Sequence, residues 1–97
     1  MKKITYNFKD RTAVITGGAQ GFGLDIAKRF LDSGANVIIW DMDAEMKDKA
    51  VKDLNNPNLS SNKIDVSNFE EVQECTNEIL KKTNIDILIN NCFICHL

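Results

Sequence analysis

The segment with the clearest chemical potential is glycine-rich: Thr16–Gly23 reads TGGAQGFG. A short apolar, β-branched run, Thr12–Ile15, precedes it, and apolar residues at helical spacing follow it from Leu24 to Leu31. The glycines therefore lie on a strand-to-helix turn, where free N–H groups and the positive end of the helix dipole point away from the helix. Such a turn is a site for a phosphate or a diphosphate.

The three glycines at the ends of this turn have different expected roles. Gly17 lets the chain leave the strand sharply, through dihedral angles that a Cβ atom forbids. Gly21 opens the helix and lets the backbone approach an anion, and Gly23 lets the helix pack closely on the first strand. The spacing is Gly-x-x-x-Gly-x-Gly, not the common dinucleotide spacing Gly-x-Gly-x-x-Gly. The alternative is a glycine-rich turn that binds no ligand. The flanking strand and helix, and the acidic residues later in the chain, disfavour this alternative.

A carboxylate stands at the end of the second apolar run. Asp41 is the last residue of the run Asn36–Asp41 and lies 24 positions after Gly17. A carboxylate at this place can accept hydrogen bonds from the two hydroxyls of an adenosine ribose, and it repels a 2′-phosphate. The alternative interpretation is a solvent-exposed aspartate at a strand end.

Strand and helix patterns alternate along the chain. We expect strands at Thr12–Thr16, Asn36–Asp41, Asn62–Val66 and Ile85–Asn90, and helices at Gly21–Asp32, Ala44–Leu54 and after Ser67. This alternation predicts a doubly wound α/β fold with a parallel sheet of strand order 3-2-1-4. Ligands of such sheets bind at the carboxyl ends of strands one and four. The first two helices should cover one face, with the third alone on the other and strand four an open edge.

Capping residues mark the expected helix ends. Gly34 can take the left-handed conformation after the first helix, and Asp43 is the expected N-cap of the second. Ser67 is expected to cap the third helix, with Glu70 completing a capping box. The expected buried face of the third helix consists of Phe69, Val72, Cys75, Thr76 and Ile79.

The pattern Thr-Gly-x-x-x-Gly-x-Gly on the first strand-to-helix turn resembles the cofactor signature of the short-chain dehydrogenase/reductase family. The amino-acid sequence of Thr16–Gly23 is similar to that of bacterial members such as 3-oxoacyl-(acyl carrier protein) reductases. The resemblance runs from Phe8 to Asn91 and covers the family's N-terminal, nucleotide-binding half. It implies a Rossmann-type fold and, for the parent protein, hydride transfer between a nicotinamide cofactor and an alcohol or ketone.

The resemblance also implies a set of cofactor-binding residues. They are Gly17, Ala19, Gln20, Gly21, Phe22, Gly23, Asp41, Asp65, Val66, Asn90 and Asn91. In the family, an aspartate at the place of Asp65 bonds the adenine amino group and the next backbone N–H contacts the ring. From the residues alone, Asp65 and Ser67 are equally well interpreted as turn and cap residues. Asn90 can tie neighbouring strand ends together through its amide.

NAD(H) is the expected cofactor, in preference to NADP(H). The carboxylate of Asp41 disfavours a 2′-phosphate, and family members that use NADP(H) often carry a basic residue at the places of Gln20 or Met42. The family's Asn-Asn-Ala-Gly motif reads Asn-Asn-Cys-Phe here. Phe93 replaces a glycine that lets the chain turn under the nicotinamide ribose, so the departure lies on the nicotinamide side.

No residue is assigned a catalytic role. The family's serine and Tyr-x-x-x-Lys motif lie beyond Leu97, and Tyr6 has no lysine four positions later. We therefore expect residues 1–97 to represent the N-terminal part of one NAD(P)-binding domain. Residues 1–11 form a lead-in, and residues 92–97 form a divergent tail after a reading-frame change or premature end. The alternative is a non-catalytic, truncated remnant that binds nucleotide weakly or not at all.

The tail contains Cys92, Cys95 and His96, in the spacing Cys-x-x-Cys-His. This spacing occurs in haem attachment, metal and redox sites, but no second cysteine pair accompanies it. We interpret it as accidental and keep a redox or metal module as the least favoured alternative, with no metal site assigned.

Composition sets the remaining expectations. The 97 residues are 43% apolar and 27% charged, with a net charge of −2, so neither nucleic acid nor a membrane is an expected partner. Without a secretory segment, we expect a cytoplasmic protein with reduced cysteines. The family forms homo-oligomers, but its usual interface helices lie outside this sequence.

Overall fold

Strands and helices alternate over residues 7–91, the part of the chain that the computed structural model describes. The elements in chain order are β1 (Thr12–Thr16), α1 (Gly21–Asp32), β2 (Asn36–Asp41), α2 (Ala44–Leu54), β3 (Leu59–Lys63), α3 (Phe69–Leu80) and β4 (Ile87–Asn90). The strands form one parallel sheet of order β3-β2-β1-β4. The predicted Rossmann-type fold and strand order are confirmed.

The sheet separates two apolar layers of unequal size. On one face, Ile15 and Ile39 pack with residues of α1 and α2, among them Ala27, Leu31 and Ala50. On the other face, Val14, Trp40 and Ile64 are covered by α3. Every residue of β1 is buried, since it lies between two strands and under helices on both faces.

The third helix covers its face thinly. Val72, Cys75 and Ile79 pack against the sheet, but none of the α3 side chains that the structure describes is fully buried. Phe69 was predicted to lie on the buried face, and this is wrong because its side chain is 74% exposed. It occupies the first position of α3, a turn before the residues that contact the sheet. In β4, at the expected open edge, Leu88 is 63% exposed.

The helix and strand bounds agree with the prediction through α2. Asp43 caps α2 by accepting a hydrogen bond from the Met46 amide at 3.1 Å, and Gly34 has φ +90° after α1. Ala50 is the buried residue of α2.

Three boundaries differ from the prediction: both ends of β3 and the start of β4. β3 comprises Leu59–Lys63 and not Asn62–Val66, because Leu59 is the buried residue that pairs with Val37. β4 begins at Ile87, after Asp86, whose carboxylate accepts from the Thr12 amide at 2.9 Å.

The capping residue of α3 is Asn68, whose side chain accepts from the Glu71 amide at 3.2 Å. The prediction of Ser67 as the cap, with Glu70 as its partner, is therefore wrong by one position. The Ser67 hydroxyl instead donates to the Asp65 carboxylate at 2.6 Å. Within residues 7–91, none of the three helices is both long and apolar enough to cross a membrane.

The cap of α3 gives a first test. We expect Asn68→Ala to lower the free energy of unfolding by about 1 kcal/mol, because the Glu71 amide loses its acceptor. Gln73→Ala, at an exposed position inside the same helix, is the control and should change it by less than about 0.5 kcal/mol. Urea unfolding followed by the fluorescence of Trp40 measures both. Equal effects would show that Asn68 does not cap the helix.

Candidate functional site

The candidate site lies at the carboxyl edge of the sheet, where all four strands end. The structure places the predicted residues of the glycine-rich segment in the β1–α1 turn, Asp41 at the end of β2, Asp65 and Val66 after β3, and Asn90 and Asn91 at and after the end of β4. Because the strands are parallel, segments far apart in sequence converge at this edge.

The turn between β1 and α1 depends on glycine at two positions of positive φ. Gly17 has φ +63° and Gly21 has φ +58°, both in the left-handed region that side chains disfavour. The Gly17 amide donates to the Trp40 carbonyl at 2.8 Å, so the turn crosses over the end of β2. Ala19, in the middle of the turn, is buried, whereas Gln20 and Phe22 are exposed.

Gly23 lies where the start of α1 meets the ends of β1 and β4. A Cβ atom at this position would overlap the Gly17 carbonyl oxygen and lie 2.7 Å from Nδ2 of Asn91. The Asn91 side-chain amide donates to the same Gly17 oxygen at 3.4 Å. The absence of a side chain at Gly23 therefore allows the first turn of α1 to lie directly against the strand ends.

A buried hydroxyl joins β1 to the end of β4. Thr16 donates to Oδ1 of Asn90 at 3.0 Å and accepts from the Asn91 amide at 2.9 Å. The expected role of Asn90 in tying strand ends together is thus present. No individual role was predicted for Thr16, although a hydroxyl at the carboxyl end of β1, next to the glycine-rich segment, was the available signal.

The N-terminus of α1 differs from those of α2 and α3. Gln20 occupies the N-cap position in an extended conformation, and its side chain makes no capping bond within residues 7–91. The first turn of α1 contains no acidic residue, whereas α2 has Asp43 as cap and Glu45 in its first turn. Within the described residues, the N-cap and the first turn of α1 therefore supply no carboxylate to its opening N–H groups and positive dipole end.

The carboxylate of Asp41 faces the glycine-rich turn. Its Oδ2 accepts from the Ala19 amide at 3.3 Å, and its Oδ1 accepts from the Asp43 amide at 3.0 Å. The side chain is half-buried, and each oxygen retains acceptor capacity. Asp41 is thus oriented by backbone N–H groups and can accept further hydrogen bonds from a ligand.

Asp65 and Val66 follow β3, next to the end of β2. Oδ1 of Asp65 accepts from both the hydroxyl and the amide of Ser67, at 2.6 and 2.9 Å. These two bonds lower the pKa of Asp65, with the hydroxyl having the larger effect and desolvation acting weakly in the opposite direction. The side chain of Val66 packs against the core under α3.

Several predictions fall on residues outside the described part. Tyr6, Cys92, Phe93, Cys95 and His96 all lie there.

Cys75, on α3, is half-buried, and burial raises the pKa of its thiol. Over residues 7–91, no three His, Cys, Asp or Glu side chains are arranged to hold a metal ion.

Comparison with known proteins gives a consistent result. The family model for short chain dehydrogenases matches residues 11–95. A 3-oxoacyl-[acyl-carrier-protein] reductase from Chlamydia pneumoniae is 38% identical over 87 residues, which are 87% of this chain and 35% of the relative. A crystal structure of a short chain dehydrogenase from Bacillus anthracis is 34% identical, with a TM-score of 0.82, over 88% of this chain and 35% of that one.

A second structural match extends further along the chain. The 2-keto-3-deoxy-D-gluconate dehydrogenase from Streptococcus agalactiae is 29% identical, with a TM-score of 0.83, over 95% of this chain and 36% of that one. The chain therefore spans about a third of the length of the proteins it resembles.

The two glycines of α1 give a matched prediction. Gly21→Ala should cost about 1–2 kcal/mol of unfolding free energy, because its φ is strained but the space around it is open. Gly23→Ala should cost about 3 kcal/mol, because the new methyl group meets backbone oxygen, which cannot move aside. Urea unfolding monitored through Trp40 compares them. A larger loss for Gly21→Ala would contradict the contact at Gly23.

The Asp65–Ser67 contact predicts a pH effect. Since the folded-state pKa of Asp65 is lowered, its contribution to stability is present above the unfolded-state pKa and is lost as the pH falls through the folded value. Ser67→Ala should raise the Asp65 pKa toward its ordinary value, whereas Ser60→Ala, on the exposed side of β3, should leave it unchanged. A carboxyl-carbon NMR titration below about pH 5 measures this shift. An identical Asp65 titration in both variants would contradict the contact.

Proposed function

The chain belongs to the short-chain dehydrogenase family, and on this premise we propose that it binds NAD(H) at the carboxyl edge of its sheet. In this proposal, the described residues form one nucleotide-binding unit, and Gly17, Ala19, Gln20, Gly21, Phe22 and Gly23 receive the diphosphate. The parent enzyme would transfer a hydride between the nicotinamide and an alcohol or ketone carbon. The family uses a nicotinamide dinucleotide, either NAD or NADP.

One observation carries the proposal: the glycine-rich turn leads directly into the uncapped N-terminus of α1, and the carboxylate of Asp41 is hydrogen-bonded to the same turn at the Ala19 amide. The diphosphate is anionic and suits free N–H groups at a helix start. The adenosine ribose next to it presents two hydroxyl donors, which suit a carboxylate. Two neighbouring groups of the ligand therefore match two neighbouring groups of the protein.

The preference for NAD(H) over NADP(H) rests on charge. Asp41 places a negative group where the ribose 2′-oxygen would bind, and a 2′-phosphate would be repelled there. The neighbouring positions Gln20 and Met42 supply no positive charge to offset this repulsion. Both side chains are exposed at the edge of the candidate site, so they are placed to contact this part of the ligand.

The two ends of the ligand would meet different parts of the edge. Asp65 and the backbone of Val66, beside the end of β2, are proposed to contact the adenine. Asn90 and Asn91, at the end of β4, are proposed to contact the nicotinamide ribose. When bound, the nicotinamide ring supplies the hydride donor or acceptor, and residues 7–91 supply binding and orientation.

The ribose contact and cofactor preference can be tested together. We expect NADH to bind at least about tenfold more tightly than NADPH, a difference of about 1.4 kcal/mol. Asp41→Ala should weaken NADH binding by roughly tenfold or more, because hydrogen bonds to a charged acceptor contribute about 1.5–3 kcal/mol. The same substitution should reduce the preference for NADH over NADPH.

Fluorescence titration of the 97-residue chain with each reduced cofactor measures these affinities. Asp32→Ala, at the opposite end of α1 and exposed, is the matched control and should bind NADH as the unchanged chain does. No NADH binding by the unchanged chain would reject the proposal and favour a non-binding remnant. Unchanged NADH affinity in Asp41→Ala would reject the ribose contact alone.

A further inference from the structure

We propose that Asp41 has a second role, as a positioning residue that holds the glycine-rich turn in its diphosphate-binding shape. The interaction responsible is the hydrogen bond from the Ala19 amide to Oδ2 of Asp41, at 3.3 Å. This inference rests on the proposed function, because it concerns how the same site receives its ligand. It links the group that selects the ribose to the backbone that binds the diphosphate.

Two hydrogen bonds connect the turn to the last two residues of β2. The Gly17 amide donates to the Trp40 carbonyl at 2.8 Å, and the Ala19 amide donates to the Asp41 side chain. The first bond is between backbone groups and is independent of side-chain identity. The second requires an acceptor at position 41, so it is the one through which this side chain can influence the turn.

Ala19 stands midway between the two positive-φ glycines, Gly17 and Gly21. Glycine lets the backbone adopt many conformations, so a turn with two of them needs external contacts to stay in one shape. Ala19 is buried, and its amide is fixed by Asp41. Holding the middle of the turn therefore restricts the directions in which the following N–H groups at the start of α1 point.

A carboxylate is suited to this double role because it has two equivalent oxygens. One accepts from Ala19 and the other from the Asp43 amide, and each keeps a lone pair for one ribose hydroxyl. An alanine at this position has no acceptor, so both backbone amides lose the side chain as a partner. Asp41→Ala should therefore disturb the turn even where no ribose hydroxyl is involved.

Comparison of ADP with 2′,3′-dideoxy-ADP separates the two roles, because both contain adenine and diphosphate and only ADP has ribose hydroxyls. If Asp41 acted on the ribose alone, Asp41→Ala would weaken the binding of ADP and leave that of dideoxy-ADP unchanged. We expect dideoxy-ADP affinity to fall as well, by roughly three- to tenfold, as the loss of one positioning hydrogen bond implies. Asp32→Ala is the matched control, expected to change neither affinity.

Amide hydrogen exchange without ligand gives a second readout. In the unchanged chain the Ala19 amide should exchange more slowly than an unstructured amide, and Asp41→Ala should speed its exchange by roughly three- to tenfold. The Gly17 amide, whose acceptor is a backbone carbonyl, should be unaffected. A general loosening of the structure would instead speed both.

The outcomes distinguish the inference from the proposed function. An unprotected Ala19 amide in the unchanged chain overturns the inference without any variant, even where Asp41→Ala does not fold. Unchanged dideoxy-ADP affinity in a folded Asp41→Ala also overturns it. Failure of the unchanged chain to bind ADP and NADH rejects the proposed function, while the Ala19 exchange rate still decides whether Asp41 shapes the turn.

Discussion

The close approach of α1 to the ends of β1 and β4 is the constraint on which the candidate site depends. Gly23 permits it, since any side chain there would occupy the space of the Gly17 carbonyl and the Asn91 amide. Thr16 then fixes the two strand ends to each other through its hydroxyl. With these backbones held together, the first turn of α1 opens over the centre of the sheet edge, where a ligand can reach its N–H groups.

The sequence predicted the first half of the fold residue by residue, for identifiable physical reasons. The apolar runs of β1 and β2 are buried between helices, and Asp43 and Gly34 mark helix ends through local chemistry. β3 was misplaced because it is an edge strand, in which only Leu59 is buried and polar residues suffice elsewhere. The α3 cap was displaced by one residue because Ser67 and Asn68 are both good caps, and Asp65 engages the serine.

The candidate site was predictable in its parts but not in its connections. Residue types and spacing indicated the glycine-rich turn and Asp41. Few residues other than glycine adopt positive φ, and few side chains other than a carboxylate can accept several hydrogen bonds at once. The hydrogen bond from Ala19 to Asp41 and the bridge from Thr16 to Asn90 join residues 22 and 74 positions apart. Such contacts depend on strand register, which is set by the packing of the whole sheet and leaves no local pattern.

The bare N-terminus of α1 also connects ligand binding to stability. Lack of a capping side chain costs a helix about 1 kcal/mol, and α2 and α3 both have one. Of the three helices in residues 7–91, the one without a capping side chain is thus α1, whose start lies at the candidate site. An anion bound there supplies the missing acceptors, and a ligand at a hundred times its Kd raises the free energy of unfolding by about 2.7 kcal/mol. Among the described helices, α3 alone covers one face of the sheet. For such a sheet, that increment is a large share of the typical stability of a small domain.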